Sequence, residues 1–254
     1  MWDDDYDDYS YERPERYEVR RVYLVAPPRE PQFYRRGGKE FRFSPTEIRH
    51  LAVAYFVLVV CFAVALSVGF GGILFGLAYP EYFIARVTFM FPISLVAVGL
   101  GFILHEVAHK FAAQHYGCWS EFRYDSRGLM MALVFSLIIG FVYAAPGATW
   151  FSGHVTRREN GIISLAGPGV NMSIAAIFII ACFVIPLDSI MWWSAGYIGF
   201  IIAFLAVFNL LPINPLDGSK VVQWNIGIYI LVFAVSIIMV GFFYIALFTT
   251  LIFV

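Results

Sequence analysis

The amino-acid sequence predicts an all-α polytopic membrane protein with about five to six transmembrane helices and a short membrane-associated β or re-entrant element after the second helix. Three observations predict this class. Apolar residues make up 60% of the 254 residues and charged residues only 14%, which is typical of membrane proteins. Residues 1–50 hold 21 of the 35 Asp, Glu, Lys and Arg residues. Beyond that point, uncharged apolar runs long enough to cross a bilayer recur along the chain.

The first 43 residues form a region of their own. They open with the acidic run Asp3–Asp8 and continue with Tyr, Glu, Arg and Pro, which predicts a disordered cytoplasmic tail with an unknown partner. We expect no cleavable signal peptide, because the first apolar run begins only at Leu51. Residues 44–254 are predicted to form one integral membrane domain.

The apolar runs predict the remaining elements in order. Residues 44–47, Ser-Pro-Thr-Glu, are a typical helix start, and Pro80-Glu81 is expected to form a turn after the first span. Polar and aromatic residues alternate over 118–127, which predicts short strands. The predicted apolar segments are 51–79, 87–115, 129–145, 162–185 with an interruption at Gly167-Pro168-Gly169, 191–211, and 226–254, the last as one long tilted helix or a tight hairpin.

Positive charges predict how these segments are oriented. Five cations precede the first span and place the N-terminus in the cytoplasm. These are Arg35, Arg36, Lys39, Arg42 and Arg49. The second helix returns the chain to that side, where three further cations follow: Lys110, Arg123 and Arg127. If the 129–145 run is re-entrant rather than a full span, Arg157 and Arg158 also lie inside. The 129–147 element should then line a cavity, because irregular backbone at membrane depth needs cover by protein or water.

A metal-binding motif, His105-Glu106-Val107-Ala108-His109, lies near the end of the second predicted helix. Histidines four residues apart share one face of a helix and can bind one Zn²⁺ together. Glu106 can reach a water on that metal and act as its base. Ionisable groups are costly in a bilayer unless they are satisfied. The motif therefore predicts a functional site, and a chance match is the alternative.

A third ligand is expected, because catalytic zinc usually has three protein ligands and one open position. Among the later carboxylates, Asp188 is expected on the far side of the membrane and Glu159 in a surface ion pair with neighbouring arginines. Asp217 follows Pro215 and precedes Gly218, where the backbone leaves regular helix and can turn a carboxylate inward. It could instead simply cap the next turn.

Other polar residues are weaker candidates. His115 is about 100° away from the histidine face of the helix, His154 is expected to be exposed in a polar loop, and Cys118 is a possible stray ligand. For stabilising an oxyanion, Asn171 is the leading candidate, with an interhelical hydrogen bond as the alternative role. Asn209 and Asn214 are weaker candidates near Asp217.

Three motifs in order resemble the site-2 protease family of intramembrane zinc metalloproteases, peptidase family M50. They are residues 105–109, residues 166–171 (Ala-Gly-Pro-Gly-Val-Asn) and residues 214–218 (Asn-Pro-Leu-Asp-Gly), within a catalytic core of 87–218. The resemblance implies one Zn²⁺ per chain held by His105, His109 and Asp217, with Glu106 as catalytic base and Asn171 near the substrate carbonyl. It also implies hydrolysis of peptide bonds in or near transmembrane helices of membrane-tethered substrates, as in regulated intramembrane proteolysis. The chain resembles archaeal members that have no PDZ or CBS domain.

Two other functions stay open at this point. A membrane metal-binding or transport protein would need ligands along a pathway on both sides of the membrane. A catalytically inactive homologue that binds transmembrane helices would not need an intact His, Glu and Asp set. The expected partners are a transmembrane protein substrate and the lipid bilayer, and no nucleic acid. The expected location is the plasma membrane, with the site within about 15 Å of the cytoplasmic surface.

Overall fold

A computed structural model describes residues 17–18, 41–69, 72–187 and 189–253. Most of the acidic tail lies outside the described residues, as do Arg35, Arg36, Lys39 and Asp188. The predicted disorder of the tail, its boundary at residue 43 and the loop position of Asp188 therefore stay predictions.

The described residues form helices joined by short strands. The helices are α1 (Pro45–Val68), α2 (Gly72–Ala78), α3 (Pro80–Val98), α4 (Leu104–His115), α5 (Ser126–Ile139), α6 (Arg157–Val184), α7 (Ile190–Asn209), α8 (Asp217–Trp224) and α9 (Ile226–Phe253). A π-helical turn, Gly99–Ile103, joins α3 to α4. The strands are β1 (Tyr17–Glu18), β2 (Trp119–Tyr124), β3 (Gly147–Ser152) and β4 (His154–Val155). They form two antiparallel pairs, β1 with β4 and β2 with β3.

Five helical segments in the described part of the chain are long and apolar enough to cross a membrane. They are Pro45–Val68, Pro80–His115, Arg157–Val184, Ile190–Asn209 and Ile226–Leu247. Two small two-stranded sheets are the only strand pairs among the described residues. The predicted class, an all-α polytopic membrane protein, is confirmed, and the chain is an integral membrane protein.

The first span begins as predicted but ends earlier. The Ser44 hydroxyl accepts a hydrogen bond from the Glu47 backbone N–H at 3.1 Å, so Ser44 caps α1. The predicted single run over 51–79 is wrong, because the chain leaves the helix at Gly69. Gly69 and Gly72 have φ angles of +56° and +53°, a backbone region in which glycine meets little steric resistance.

The second span begins earlier than predicted. The expected turn at Pro80-Glu81 is wrong, since Pro80 begins α3. The first turn of a helix tolerates proline, because the N–H that proline lacks would have no helical partner there. The helix then widens into the π turn just before the metal-binding motif. Gly101 in that turn packs against α7, where an added Cβ would lie 2.8 Å from Leu205 Cδ1.

The chain between β2 and β3, residues 125–146, leaves the sheet at the end of β2 and returns to it at the start of β3. β2 precedes it and β3 follows it, with Tyr124 opposite Gly147 in the ladder. The Asp125 N–H donates to the Pro146 carbonyl at 2.8 Å, which closes the segment at its base. Its helix, α5, has 14 residues and is about 21 Å long, too short to span. One strand, β2, lies within the 118–127 segment that was predicted to form short strands, and the chain over 129–145 turns back to the sheet instead of forming a full span.

The later helices follow the predicted order with two corrections. The predicted interruption of the 162–185 run is wrong, because α6 is continuous with Pro168 inside it. Proline removes one helical hydrogen bond, and the bonds of the flanking turns keep the helix intact. Glu159 is not in the predicted surface ion pair but in a capping box with Thr156, whose N–H it accepts at 2.6 Å. The run from 226 forms one helix rather than a hairpin.

A buried ion pair joins three elements near the motif. Lys110 is one of the cations that predict the cytoplasmic side, but its side chain is 2% exposed. Its Nζ donates to Glu47 Oε2 at 2.7 Å and to the Ser120 carbonyl at 3.0 Å. The other oxygen, Glu47 Oε1, accepts from the Phe122 N–H at 3.0 Å. One carboxylate of α1 therefore fixes both α4 and β2, and the low exposure reflects full pairing of the two charges.

Replacing Glu47 with glutamine is expected to destabilise the protein by about 3–5 kcal/mol, because it leaves the Lys110 charge buried without a counter-charge. Thermal unfolding in detergent would show a lower melting temperature. The matched control is Glu81→Gln at an exposed position in the first turn of α3, which should shift unfolding little. Equal melting temperatures for the two variants would contradict the role of the pair.

Candidate metal centre

Two histidines on α4 form one side of a buried centre. His105 and His109 are one turn apart, and their Nε2 atoms lie 3.0 Å from each other. His109 Nδ1 lies 2.8 Å from the Ile163 carbonyl of α6. Because a carbonyl only accepts, Nδ1 carries a hydrogen, and Nε2 is the nitrogen that faces the centre and can bind a metal once it has lost its own proton. The four-residue spacing of the two histidines therefore brings both imidazoles together, as the sequence predicts.

Asp217 closes the centre from α8. Its Oδ2 lies 2.9 Å from His109 Nε2 and 3.4 Å from His105 Nε2. The start of α8 packs closely against the end of α7. Gly218 allows this approach, because an added Cβ there would overlap the Leu210 carbonyl. The cap of α8 is Leu216 without a side-chain hydrogen bond. Asp217 thus faces the histidines, and the alternative in which it merely caps a turn does not match the structure.

The three side chains fit a zinc ion. Their ligand atoms lie within 4.8 Å of one another, with separations of 2.9 to 3.4 Å. Two ligand atoms bonded to zinc at 2.0–2.1 Å in tetrahedral geometry are about 3.3 Å apart. Gly167 of α6 makes room for the centre, because an added Cβ would overlap His109 Nε2 and lie 2.6 Å from His105 Nε2. Within the described residues this is the one such group of three.

The charge of Asp217 suits it for metal binding. Burial raises the pKa of its carboxyl group, but the nearby His109 and Lys220 charges and hydrogen bonds from both histidines outweigh burial and hold the pKa well below its usual range. Lys220 Nζ lies 3.3 Å from Oδ1, the oxygen that faces away from the histidines. The carboxylate is therefore ionised at neutral pH, as a metal ligand must be.

Glu106 lies beside the histidines and has a partner that the sequence does not predict. Its side chain is buried, and its Oε2 accepts a hydrogen bond from Thr149 Oγ1 of β3 at 2.7 Å. Thr149 is buried as well. No motif or spacing connects these two residues, because the contact depends on how the sheet folds back onto α4.

Asn171 is buried in α6, one turn after Gly167. Its side chain is fully buried, and neither amide atom has a hydrogen-bond partner among the described residues. The alternative of an interhelical hydrogen bond therefore does not match the structure. A buried amide without partners is costly, so it is available for a ligand. Of the weaker candidates, Asn209 donates to the Leu205 carbonyl of its own helix at 2.9 Å, and Asn214 is exposed.

The remaining candidates lie outside the centre. His115 is exposed at the end of α4, and His154 is exposed on β4, as expected. Cys118 is buried beside Gly153. Burial and the nearby Glu159 charge raise the pKa of its thiol, so the thiolate that a metal would need is disfavoured.

Replacing Gly167 with alanine should lower zinc affinity by about 10-fold or more, because the new methyl group displaces the imidazoles from a fixed geometry. Zinc content after dialysis against graded metal buffers would measure the change. Gly169→Ala is a matched control in the same helix, since an added Cβ there meets no atom within 4 Å. Equal zinc affinity in the two variants would show that the close contact at Gly167 does not constrain the centre.

Named proteins from other organisms are similar in sequence to this chain. A protein of Methanocaldococcus jannaschii named "Putative zinc metalloprotease MJ0611" is 39% identical over 194 residues, or 76% of this chain and 91% of that protein. Proteins named "Putative zinc metalloprotease Rip2" from Mycolicibacterium smegmatis and Mycobacterium tuberculosis are 30% identical over 129 and 137 residues. Those matches cover 45% and 47% of this chain, and 50% and 52% of the relatives. No protein-family model and no solved structure matches the chain.

Proposed function

Since the chain belongs to the site-2 protease family of zinc metalloproteases, we propose that it is an intramembrane zinc metalloendopeptidase. It hydrolyses peptide bonds in or near transmembrane helices of membrane-tethered substrates. The observation that carries the proposal is the convergence of His105, His109 and Asp217 beside the Glu106 carboxylate. Three potential ligands and an adjacent base are the set that zinc proteases need.

The chemistry follows from the positions of these residues. His105, His109 and Asp217 would hold one zinc ion per chain. When bound, zinc supplies a Lewis acid that polarises the scissile carbonyl and makes a water more acidic. Glu106 accepts the proton of the attacking water and delivers it to the leaving amine nitrogen. Asn171, whose amide has no partner among the described residues, donates a hydrogen bond to the carbonyl oxygen as negative charge develops there.

The outer edge of β2 is closed to a substrate. The Phe122 N–H donates to Glu47, the Tyr124 N–H donates to His50 Nδ1 at 3.2 Å, and the Ser120 carbonyl accepts from Lys110. These residues therefore direct their main-chain groups away from β3. The residues opposite them on β3 must in turn direct theirs away from β2.

The part of the β3 edge formed by Gly147 and Thr149 is the place where a substrate can add. Thr149 lies opposite Phe122 and Gly147 opposite Tyr124, so the main-chain groups of Thr149 and Gly147 face outward. These groups have no hydrogen-bond partner among the described residues. A transmembrane helix bonds all its backbone groups internally, so it must unwind before attack. An unwound segment regains main-chain hydrogen bonds by pairing with β3 as an added strand.

Charge supports an orientation with the site near the cytoplasmic side of the plasma membrane. The ring of His50 packs on Tyr124 with centroids 4.3 Å apart, so the start of α1 lies beside β2. Arg42 and Arg49 therefore lie on the same side of the protein as Arg123. The positive-inside rule assigns that side to the cytoplasm.

The two rival functions gain no support. Transport would need ligands along a path across the membrane, and the described residues contain one cluster of three metal-binding side chains. An inactive homologue would not require a carboxylate in the position that Glu106 occupies.

Removal of zinc is expected to stop proteolysis. The protein, reconstituted in vesicles with a labelled single-span test substrate that carries Gly-Pro near the cytoplasmic end of its helix, should cleave it. A zinc chelator should abolish cleavage, and added Zn²⁺ should restore it. The control substrate has Leu-Leu in place of Gly-Pro and should be cleaved more slowly, because its helix resists unwinding. Cleavage that persists without zinc would overturn the proposal.

A further inference from the structure

The Thr149 hydroxyl makes an unusual contact for a threonine in this protein. Thr88 and Thr249, on exposed helix faces, donate to the carbonyl four residues earlier, at 2.8 Å in both cases. Such local bonds are ordinary for threonine in helices. Thr149 instead donates across 43 residues of sequence to Glu106 Oε2. Among the described residues it is the one hydrogen-bond donor to that carboxylate.

The position of Thr149 connects two parts of the proposed site. Its side chain points to α4 and the base, and its main chain lies on the outward edge of β3. Strand geometry explains this arrangement, because a strand directs its side chains to the faces of the sheet and its main-chain groups to the edges. Phe122, opposite Thr149, is fixed in turn by Glu47 and by a ring contact with Phe102 at 5.4 Å. The strand pair therefore holds the Thr149 hydroxyl at a fixed place relative to α4.

A base carboxylate needs such support. Bound to Thr149 through Oε2, Glu106 has its Oε1 oxygen left to accept a proton. A free glutamate side chain would rotate among several rotamers, and its oxygen would face the attacking water for only part of the time. Hydrogen bonds to charged groups are stronger than neutral ones, so a single hydroxyl suffices to favour one orientation.

We propose that Thr149 is a positioning residue for Glu106, and that its hydroxyl holds the carboxylate in the orientation in which it accepts the proton of the attacking water. This inference rests on the proposed function and adds a residue to it. Because Thr149 also belongs to the part of the β3 edge formed by Gly147 and Thr149, a substrate strand that pairs there fixes the residue that orients the base. Substrate binding and readiness of the base are thereby coupled through one side chain.

The test compares two replacements of Thr149 with a remote control. Thr149→Val removes the hydroxyl and keeps the branched shape, whereas Thr149→Ser keeps the hydroxyl. Thr88→Val makes the same chemical change on an exposed face of α3. The measurements are kcat, KM and zinc content with the single-span substrate described above. Wild type and Glu106→Gln are measured in the same experiment.

The expected result is a loss in kcat of about 10- to 100-fold for Thr149→Val, as for misplacement of a catalytic group. KM should stay within about twofold and zinc content should stay unchanged, because no ligand is touched. Thr149→Ser should recover most of the activity, and Thr88→Val should behave like wild type.

Besides an unimpaired Thr149→Val variant, three results would overturn the inference. They are a Thr149→Val variant that raises KM alone, one that loses zinc, or a Thr149→Ser variant as impaired as Thr149→Val. Failure of the proposed function looks different, because the wild type would then show no zinc-dependent cleavage and Glu106→Gln would match it. If the wild type cleaves and Thr149→Val is unimpaired, the proteolytic function stands and the inference alone fails.

Discussion

Glu106→Gln is expected to reduce cleavage by about 10²–10⁴-fold while leaving zinc bound. A positioned general base contributes about 10²–10⁴-fold to a rate, and glutamine cannot accept the proton. Glutamine preserves the length of the side chain and a carbonyl oxygen that can accept from Thr149. It also leaves His105, His109 and Asp217 in place. Metal analysis and cleavage of the single-span substrate measure the two quantities on the same preparation.

The control for this variant is Glu81→Gln, which removes an exposed carboxylate at the start of α3 and should leave cleavage unchanged. Substantial cleavage by Glu106→Gln would mean that another group activates the water. Loss of zinc together with activity would mean that Glu106 is itself needed to hold the metal, contrary to its assignment as a base.

Asp217→Ala is expected to weaken zinc binding by more than about 100-fold, because it removes one of the three proposed protein ligands. Changes to groups that merely support ligands cost about 10–100-fold, so loss of a ligand should cost more. The variant also leaves Lys220 without the carboxylate 3.3 Å away. Dialysis against buffers of graded free zinc, followed by metal analysis, gives the affinity.

Asp125→Ala is the matched control for that variant. Asp125 accepts from the Arg127 N–H at the start of α5, outside the metal centre, so its loss should reduce stability slightly and leave zinc bound. If Asp217→Ala keeps zinc as tightly as the wild type, Asp217 is not a ligand and the three-residue centre is wrong.

The sequence predicted those parts of the site that depend on local geometry. The two histidines share a helix face because of their spacing, whatever the rest of the fold does. The position of Asp217 beside a helix break was also readable, since proline and glycine mark the break. The apolar runs predicted the helices, because length and hydropathy decide whether a segment can cross a bilayer.

The contacts that complete the site could not be predicted from the sequence. Thr149 and Glu106 are 43 residues apart, and Lys110 and Glu47 are 63 apart. No periodicity relates residues at such distances, and their meeting depends on how α1, α4 and the sheet pack. The end of α1 could not be predicted from the sequence for a different reason. The glycines near residue 69 look like small residues within an apolar run, and only the positive φ angles show that the helix stops there.

The π turn at Gly99–Ile103 has a consequence for the direction in which the motif faces. A wide turn accommodates one more residue than a regular turn does, and one residue corresponds to about 100° of rotation around the helix. The turn thus takes up one residue without changing the angular phase of the following helix relative to α3. Deleting a single residue from the turn would restore regular winding and leave His105 and His109 facing Asp217, whereas the same deletion in the regular part of α3 would rotate the two histidines by about 100° relative to the rest of α3. In an alignment of relatives, a one-residue gap should therefore be tolerated at this turn and not in the regular part of α3.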